Sequence, residues 1–309
     1  MRLGFVISLI LCAGVANAAD DLTSAIENVR AACGSISNEL IDMKTKAGIN
    51  TAVTGVGTVA GGVALGTGIA KANIDKNVTS LEQEIENLKK LQGNKFDTLK
   101  LSDENTQAIS LEIQNYAESI AAKQAQISEL EKKSVTLGNV RTGTMAGATA
   151  TNIAGAVIAG TNKVKGDLKS QIDECIAATK TLSRVKMQAR IDNSADEFAL
   201  QRADKIVSAC SEWEYVDLSK IDNRATGALV SNAIGATTRI AGTVTSASAN
   251  SKNVRDGDAT KEKNLNTASN VLAGTTTVAS ATATIFNATQ IKAIKQAASV
   301  ADVCEGALK

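Results

Sequence analysis

The sequence predicts an all-α protein: an elongated up-down-up-down four-helix bundle of two tandem disulfide-closed hairpins, the first extended by an antiparallel coiled coil. Three observations support this prediction. Proline is absent from all 309 residues, as long helices require, because an interior proline costs about 3 kcal/mol. Four cysteines lie symmetrically about two polar stretches. Apolar residues at spacings of three and four flank the first of those stretches.

The first 18 residues are typical of a secretory signal peptide. Arg2 provides the positive charge, an apolar run follows, and Ala16-Asn17-Ala18 matches a cleavage site. Removing residues 1–18 leaves 33 − 1 = 32 basic and 32 acidic residues, so the mature chain is neutral. A neutral chain without a basic block predicts no nucleic-acid partner. We expect an exported protein, either periplasmic or extracellular.

Four cysteines remain after the predicted signal: Cys33, Cys175, Cys210 and Cys304. An even count in an exported chain predicts disulfides. The midpoint of Cys33 and Cys175 is residue 104, within a polar stretch, and the midpoint of Cys210 and Cys304 is Gly257. Residues equidistant from the turn of a helical hairpin lie side by side, so Cys33–Cys175 and Cys210–Cys304 are the expected bonds. If all four cysteines lie in one layer, the alternative pairing of Cys33 with Cys304 and Cys175 with Cys210 is also geometrically allowed.

The same symmetry divides the mature chain into two hairpins, residues 19–192 and 193–309. The residues before Cys33 resemble those before Cys210, which indicates a degenerate internal repeat. A turn near Asn193 joins the hairpins, and Ser194 with Glu197 matches a capping box at the start of the next helix.

The middle of the first hairpin, about residues 76–133, predicts a coiled-coil tip. Val78, Leu81, Ile85 and Leu88 alternate spacings of three and four, and a similar series begins at Ile109. The first hairpin is longer than the second, and the difference should extend the tip by about 35 Å. We expect the tip to bind a protein partner or a second copy of the chain.

Four segments rich in Gly, Ala and Thr carry almost no charge: residues 47–70, 142–162, 225–251 and 264–291. Glycine in a helix interior costs about 1 kcal/mol relative to alanine, but it also lets neighbouring backbones approach closely. The sequence therefore predicts that a set of these glycines packs helices together: Gly57, Gly61, Gly62, Gly66, Gly143 and Gly147.

Three settings fit these segments. The preferred one is a tight water-soluble bundle, because polar residues argue against insertion into a bilayer. Those residues are Asn50, Asn152, Arg239, Asn266, Asn270, Asn287 and many threonines. The alternative is a membrane, since each segment reaches the roughly 20 residues needed to span it. The third is β-structure at the β-branched runs 275–278 and 282–286.

No catalytic, metal or cofactor site emerges. Histidine is absent, which excludes Ser-His-Asp and Cys-His catalysis, and no carboxylate pair stands out. We therefore expect an exported, non-catalytic helical scaffold or interaction protein with a protruding tip. The alternative is a membrane-inserting helical protein, a pore-former or an anchor, that uses the four segments 47–70, 142–162, 225–251 and 264–291.

Overall fold

The computed structural model describes residues 21–101, 106–255 and 257–309. Every regular element within these ranges is helical, so the predicted all-α class is confirmed. The predicted signal peptide, residues 1–18, and the polar turn at 102–105 lie outside the described residues.

The helices are long. They are α1 (21–33), α2 (Ile36–Leu101), α3 (Thr106–Thr161), α4 (Gly166–Ile191), α5 (Glu197–Cys210), α6 (Ser219–Asn250), α7 (Lys252–Arg255) and α8 (Ala259–Leu308), with a 3-10 helix at Ser211–Tyr215. Both β-branched runs lie inside α8, so the β-strand alternative is wrong. Their threonine hydroxyls donate to carbonyls of the preceding turn, as Thr275 does to Val271 at 3.0 Å, which is a pairing that a helix allows.

The chain divides into two compact units. Unit 1 comprises Met1–Val53, Ala154–Ser231 and Thr282–Lys309, and unit 2 comprises Thr54–Ile153 and Asn232–Ala281. Both predicted hairpins contribute to both units, because α2, α3, α6 and α8 each continue from one unit into the other.

Unit 1 has an apolar core that contains both disulfides. Leu22, Ile36, Leu40, Ile206 and Trp213 are among its fully buried members. Cys33 is bonded to Cys175 and Cys210 to Cys304, which confirms the expected pairing. The sulfur atoms of Cys33, Cys175 and Cys304 lie within 4.8 Å of one another. The two disulfides are therefore adjacent in one buried layer, and such bonds are typical of an oxidising, exported environment.

The connection between α4 and α5 confirms the predicted turn and corrects its cap. Asn193 has a positive φ of 49°, a conformation that asparagine tolerates better than most residues. The residue that caps α5 is Asp196, whose side chain accepts a hydrogen bond from the Ala199 amide at 2.7 Å. Ser194 instead donates to the Ala189 carbonyl at 3.4 Å. A carboxylate at 196 displaces the predicted hydroxyl because a charged acceptor bonds an amide more strongly.

Within unit 2, α2 and α3 form the predicted antiparallel coiled coil. Lys123 pairs with Glu84 and Lys95 with Glu112, each at 2.5 Å. Both pairs have their midpoint between residues 103 and 104, close to the predicted residue 104. Ile85 and Ile120 are buried between the two helices' charged faces.

The coiled coil continues well past the ends of α6 and α8. At its base, Lys71 of α2 contacts Glu262 of α8 at 2.8 Å. From there α2 continues to Leu101, while α6 ends at Asn250 and α8 begins at Ala259. At about 1.5 Å per residue the extension is about 40 Å, near the length expected from the sequence.

Removing either disulfide should destabilise the fold strongly. The bonds join residues 142 and 94 positions apart, and loops of this size correspond to about 5 kcal/mol in the chain-entropy model. We expect the variant Cys33→Ala/Cys175→Ala to lose up to that amount of unfolding free energy, measured by denaturant titration. Non-reducing peptide mapping of the wild type should recover Cys33–Cys175 and Cys210–Cys304, and a Cys33–Cys210 peptide would contradict the layered arrangement.

Candidate functional site

The interior of unit 2 is polar, and we call it the polar core. Its buried positions recur every three or four residues along each helix, as in a coiled-coil seam, but most of them are small or polar. They are Gly57, Gly61, Ala64, Gly68 and Lys71 of α2; Ser134, Gly138, Arg141, Met145, Ala148 and Asn152 of α3; Asn232, Gly235, Arg239, Gly242 and Ser246 of α6; and Asn266, Ser269, Ala273, Thr276 and Ser280 of α8. The buried apolar cluster there has only Ala64, Met145 and Ala273.

Arg239 connects all four helices of the polar core. Its side chain is 1% exposed. The guanidinium donates to the carbonyls of Ala148 in α3 and Gly57 in α2. It also donates to the Ser280 hydroxyl of α8 at 3.2 Å. A helical carbonyl keeps a second lone pair after its own helix bond, so both acceptors remain available without unwinding α2 or α3.

The guanidinium of Arg239 carries a positive charge at neutral pH, because arginine stays protonated in proteins. Its acceptors among the described residues are backbone carbonyls and side-chain hydroxyls, not carboxylates. The charge is therefore solvated by oriented dipoles in place of a counter-ion.

Arg141 is buried to the same extent as Arg239 but makes fewer hydrogen bonds. Its Nη2 donates to the Asn266 carbonyl at 3.4 Å, while Nε and Nη1 have no hydrogen-bond partner. Burial lowers its pKa to about 10. The guanidinium thus keeps its charge with most of its donors unused.

Lys71 is the third buried cation of unit 2, and two carboxylates neutralise it. Its ammonium contacts Asp75 at 3.0 Å and Glu262 at 2.8 Å, and donates to the Ser134 hydroxyl at 2.9 Å. Ser134 in turn donates to Asp75 at 2.8 Å. This closed network ties α2, α3 and α8 together at the base of the coiled coil.

The glycines predicted to pack helices fall into two groups. A methyl group added at Gly57 would lie 3.0 Å from the Thr151 hydroxyl, and one at Gly61 would lie 2.6 Å from that of Thr277. These two positions make close contacts as predicted. The other four, Gly62, Gly66, Gly143 and Gly147, face open space. The prediction is wrong for them because they fall outside the three-and-four series that points into the core.

Unit 1 has a smaller set of buried amides. Asn50 of α2 donates to Asn287 of α8 at 3.0 Å. Asn162 donates to the Met43 carbonyl at 3.0 Å, and Gln290 donates to the Asn162 carbonyl at 2.9 Å. These side chains pair with one another and with the backbone, so the charge-poor segments have polar interiors in unit 1 as well.

The outward faces of the same segments are apolar. Their exposed large side chains are all β-branched aliphatics: Ile49, Val56, Val59, Val63, Ile69, Ile153, Val157, Val230, Ile234, Ile240, Val244, Val271, Val278 and Ile285. The one charged residue within the four segments, Arg239, points inward. Large exposed apolar surfaces without charge mark sites of interaction with proteins or membranes.

Seven threonines on or beside this apolar surface, three exposed and four half-buried, form hydrogen bonds within their own helices. Thr67, Thr144, Thr161, Thr237, Thr245, Thr275 and Thr289 each donate to the carbonyl four residues earlier, at 2.6 to 3.1 Å. Their hydroxyls are satisfied within their own helix. They therefore need no water.

By length and composition, one helical stretch in the described part of the chain could cross a membrane. It lies within Asp21–Thr98 and includes a window of mean hydropathy 1.4, of which 28% is buried. The other three charge-poor segments contain more Thr and Asn, which lowers their hydropathy.

Comparisons with family models, with curated proteins and with solved structures give no match. The fold and the site describe an all-α protein with two disulfides, a polar core and a coiled coil.

Sequence reasoning identified Arg239 and the asparagines but counted them as obstacles to insertion. It missed Lys71 and Arg141. The signal that would have found both is the phase of the helical repeat, since each continues the series of positions that carries the buried glycines and asparagines. Residue content alone does not contain that information.

Adjacent glycines offer a matched test of close packing. We expect Gly61→Leu to lower the free energy of unfolding by about 1–3 kcal/mol, because the side chain would collide with Thr277. Gly62→Leu should leave it unchanged or raise it by up to about 0.8 kcal/mol, since leucine is the better helix former. Unfolding followed by circular dichroism would measure both. Equal effects at the two positions would show that Gly61 is not in a packed seam.

Proposed function

We propose that this chain is a non-catalytic membrane protein: an exported helical anchor that inserts its four charge-poor segments into a bilayer and carries the coiled-coil tip. The observation that supports this most strongly is the inverted distribution of side chains. Within the four segments, asparagine, serine and arginine lie inside, while valine and isoleucine lie outside.

Water would be an unfavourable solvent for the outward faces. A soluble surface ordinarily mixes charged residues of both signs and keeps apolar patches small. Here segment 47–70 exposes only Ile, Val, Ala and Gly, and the exposed residues of 225–251 are Val, Ile, Ala, two threonines and the terminal Ser251. Acyl chains are the partner whose chemistry matches such a surface.

The buried amides and Arg239 also fit a bilayer. Polar and ionisable side chains in membrane helices face the interior of the bundle, where they bond to each other or to carbonyls. Arg239 bonds to the Gly57 and Ala148 carbonyls in this way. By composition alone, the buried asparagines and Arg239 favoured a soluble bundle. Their positions inside the bundle instead support insertion into a bilayer.

Segment lengths and flanking charges agree with this proposal. The segments contain 21 to 28 residues, or about 31–42 Å of helix at 1.5 Å per residue, against a hydrocarbon core of about 30 Å. Basic residues flank each segment at both ends: Lys44, Lys46, Lys71, Arg141, Lys163, Lys165, Arg224, Lys252, Lys261, Lys263, Lys292 and Lys295. Lys71 and Arg141 point into the polar core, whereas long basic side chains at the other positions can reach the lipid headgroups.

The coiled-coil tip is the second functional element we propose, as a surface for a protein partner. Leu91, Phe96 and Leu111 are 48%, 45% and 60% exposed, although they belong to a stretch rich in Lys and Glu. Exposed Leu and Phe on an otherwise charged coiled coil can anchor a partner helix.

Insertion can be tested by flotation with phospholipid vesicles. We expect the mature chain to float with the vesicles and to resist extraction by alkaline carbonate. The variant Val59→Lys/Val278→Lys, which puts charges on the outward face, should lose most of this association, since a lysine at the bilayer centre costs about 2.5–3.5 kcal/mol. Leu111→Lys in the tip is the matched control and should float normally. A wild-type chain that stays soluble without detergent and does not float would contradict the proposal.

Excising the tip should leave the anchor intact. Ser134 donates to Asp75 at 2.8 Å, so a short Gly-Asp turn can replace residues 76–133 and preserve the network around Lys71. We expect this deletion to keep its disulfides, the helicity of the remaining residues and vesicle flotation. Circular dichroism and flotation would measure this, and a loss of helicity well beyond the excised residues would show that the tip supports the fold.

A further inference from the structure

The three buried cations of unit 2 differ in how their charge is compensated. Lys71 has two carboxylates and Arg239 has carbonyls on two helices, as described above. Arg141 has one long hydrogen bond to the Asn266 carbonyl, and no carboxylate is paired with it in the described part of the chain. Arg141 is therefore the least compensated charge of the polar core.

Leaving a guanidinium in this state is unfavourable. A buried charge without a partner costs several kcal/mol, and each buried donor without an acceptor adds about 1–3 kcal/mol. Arg141 is 1% exposed, so bulk water does not solvate it. Its Nε and Nη1 are unpartnered, and so is the side-chain Nδ2 of Asn266, the residue to which Arg141 is bonded. This part of the core thus has several free donors and one free acceptor, the Oδ1 of Asn270, and no carboxylate of the described residues is paired with the guanidinium.

We propose that Arg141, together with the side-chain amide of Asn266, binds a small monovalent anion, such as chloride, in the polar core. One negative charge balances one guanidinium, and a halide accepts hydrogen bonds from any direction, so it can use donors on two helices. The bonds of Arg239 leave that residue little capacity for the same role.

The surroundings of Arg141 restrict the size of the ion. A methyl group added at Gly68 would lie 3.0 Å from the guanidinium carbon of Arg141 and would overlap the Asn270 side chain. Glycine at 68 is therefore what allows α2 to pass close to the guanidinium. The proposed ion is therefore a small one, a halide, and not a phosphate ester or an organic carboxylate. The proposal concerns unit 2 alone and does not depend on insertion into a membrane.

The test is chloride titration of the full mature chain in one detergent, with sodium gluconate replacing sodium chloride so that ionic strength stays constant. We expect the melting temperature to rise with chloride and to saturate. The shift should be about 3 °C at ten times the dissociation constant, by mass action. The line width of the chloride NMR signal, broadened by the protein and narrowed again by added bromide, measures binding directly and needs no variant.

Two variants assign the site. Arg141→Met should abolish both the chloride-dependent shift and the line broadening. Gly62→Leu, at a position of the same unit that faces open space, is the control and should retain both. The proposal is overturned if the wild type responds equally to chloride and gluconate, or if Arg141→Met keeps the wild-type response. If Arg141→Met does not fold, the bromide competition on the wild type still decides whether a halide site exists, and its absence would overturn the proposal.

Discussion

The bonds of Arg239 to its neighbouring helices are the interaction on which unit 2 depends. One guanidinium in α6 contacts the carbonyls of Gly57 and Ala148 and the hydroxyl of Ser280. Side chains as large as leucine at 57 or 148 would cover those carbonyls. The small residues along the core therefore do two things at once: they bring the helices close together, and they expose the backbone acceptors that a buried cation needs.

This dependence explains why the core contains so little apolar volume. A bundle stabilised by the hydrophobic effect buries its valines and isoleucines, as unit 1 does around its disulfides. The helices of unit 2 instead bury hydroxyls, amides and guanidiniums and expose β-branched aliphatics. Hydrogen bonds and close packing must supply the stability, and both are strongest where water is excluded. A bilayer provides that exclusion on the outside of the helices, which is why the proposed location and the composition of the core support each other.

Three buried cations in one unit also show three ways to keep a charge inside a protein. Carboxylates neutralise Lys71 at the base of the coiled coil, where the charged tip begins. Backbone dipoles solvate Arg239 in the middle of a segment that contains no acid. Arg141 lies between them along α3, where its one hydrogen bond within the described part of the chain is to the Asn266 carbonyl, and keeps free donors. The way in which a buried positive charge is compensated thus changes along the core, depending on whether acidic residues lie nearby.

The sequence by itself indicated the hairpins, the preferred cysteine pairing and the coiled coil. These follow from symmetry about a turn and from repeats of three and four, which depend only on residue positions along the chain. Tertiary structure alone decided which face of each charge-poor helix points inward. Gly61 and Gly62 are neighbours in sequence, but one is packed against Thr277 and the other faces open space. In an ordinary amphipathic helix the apolar residues mark the buried face, whereas here the small and polar residues do. Hydrophobicity therefore does not indicate the position of Asn152 and Arg239, and only the packing of four helices against one another shows that their side chains are inside.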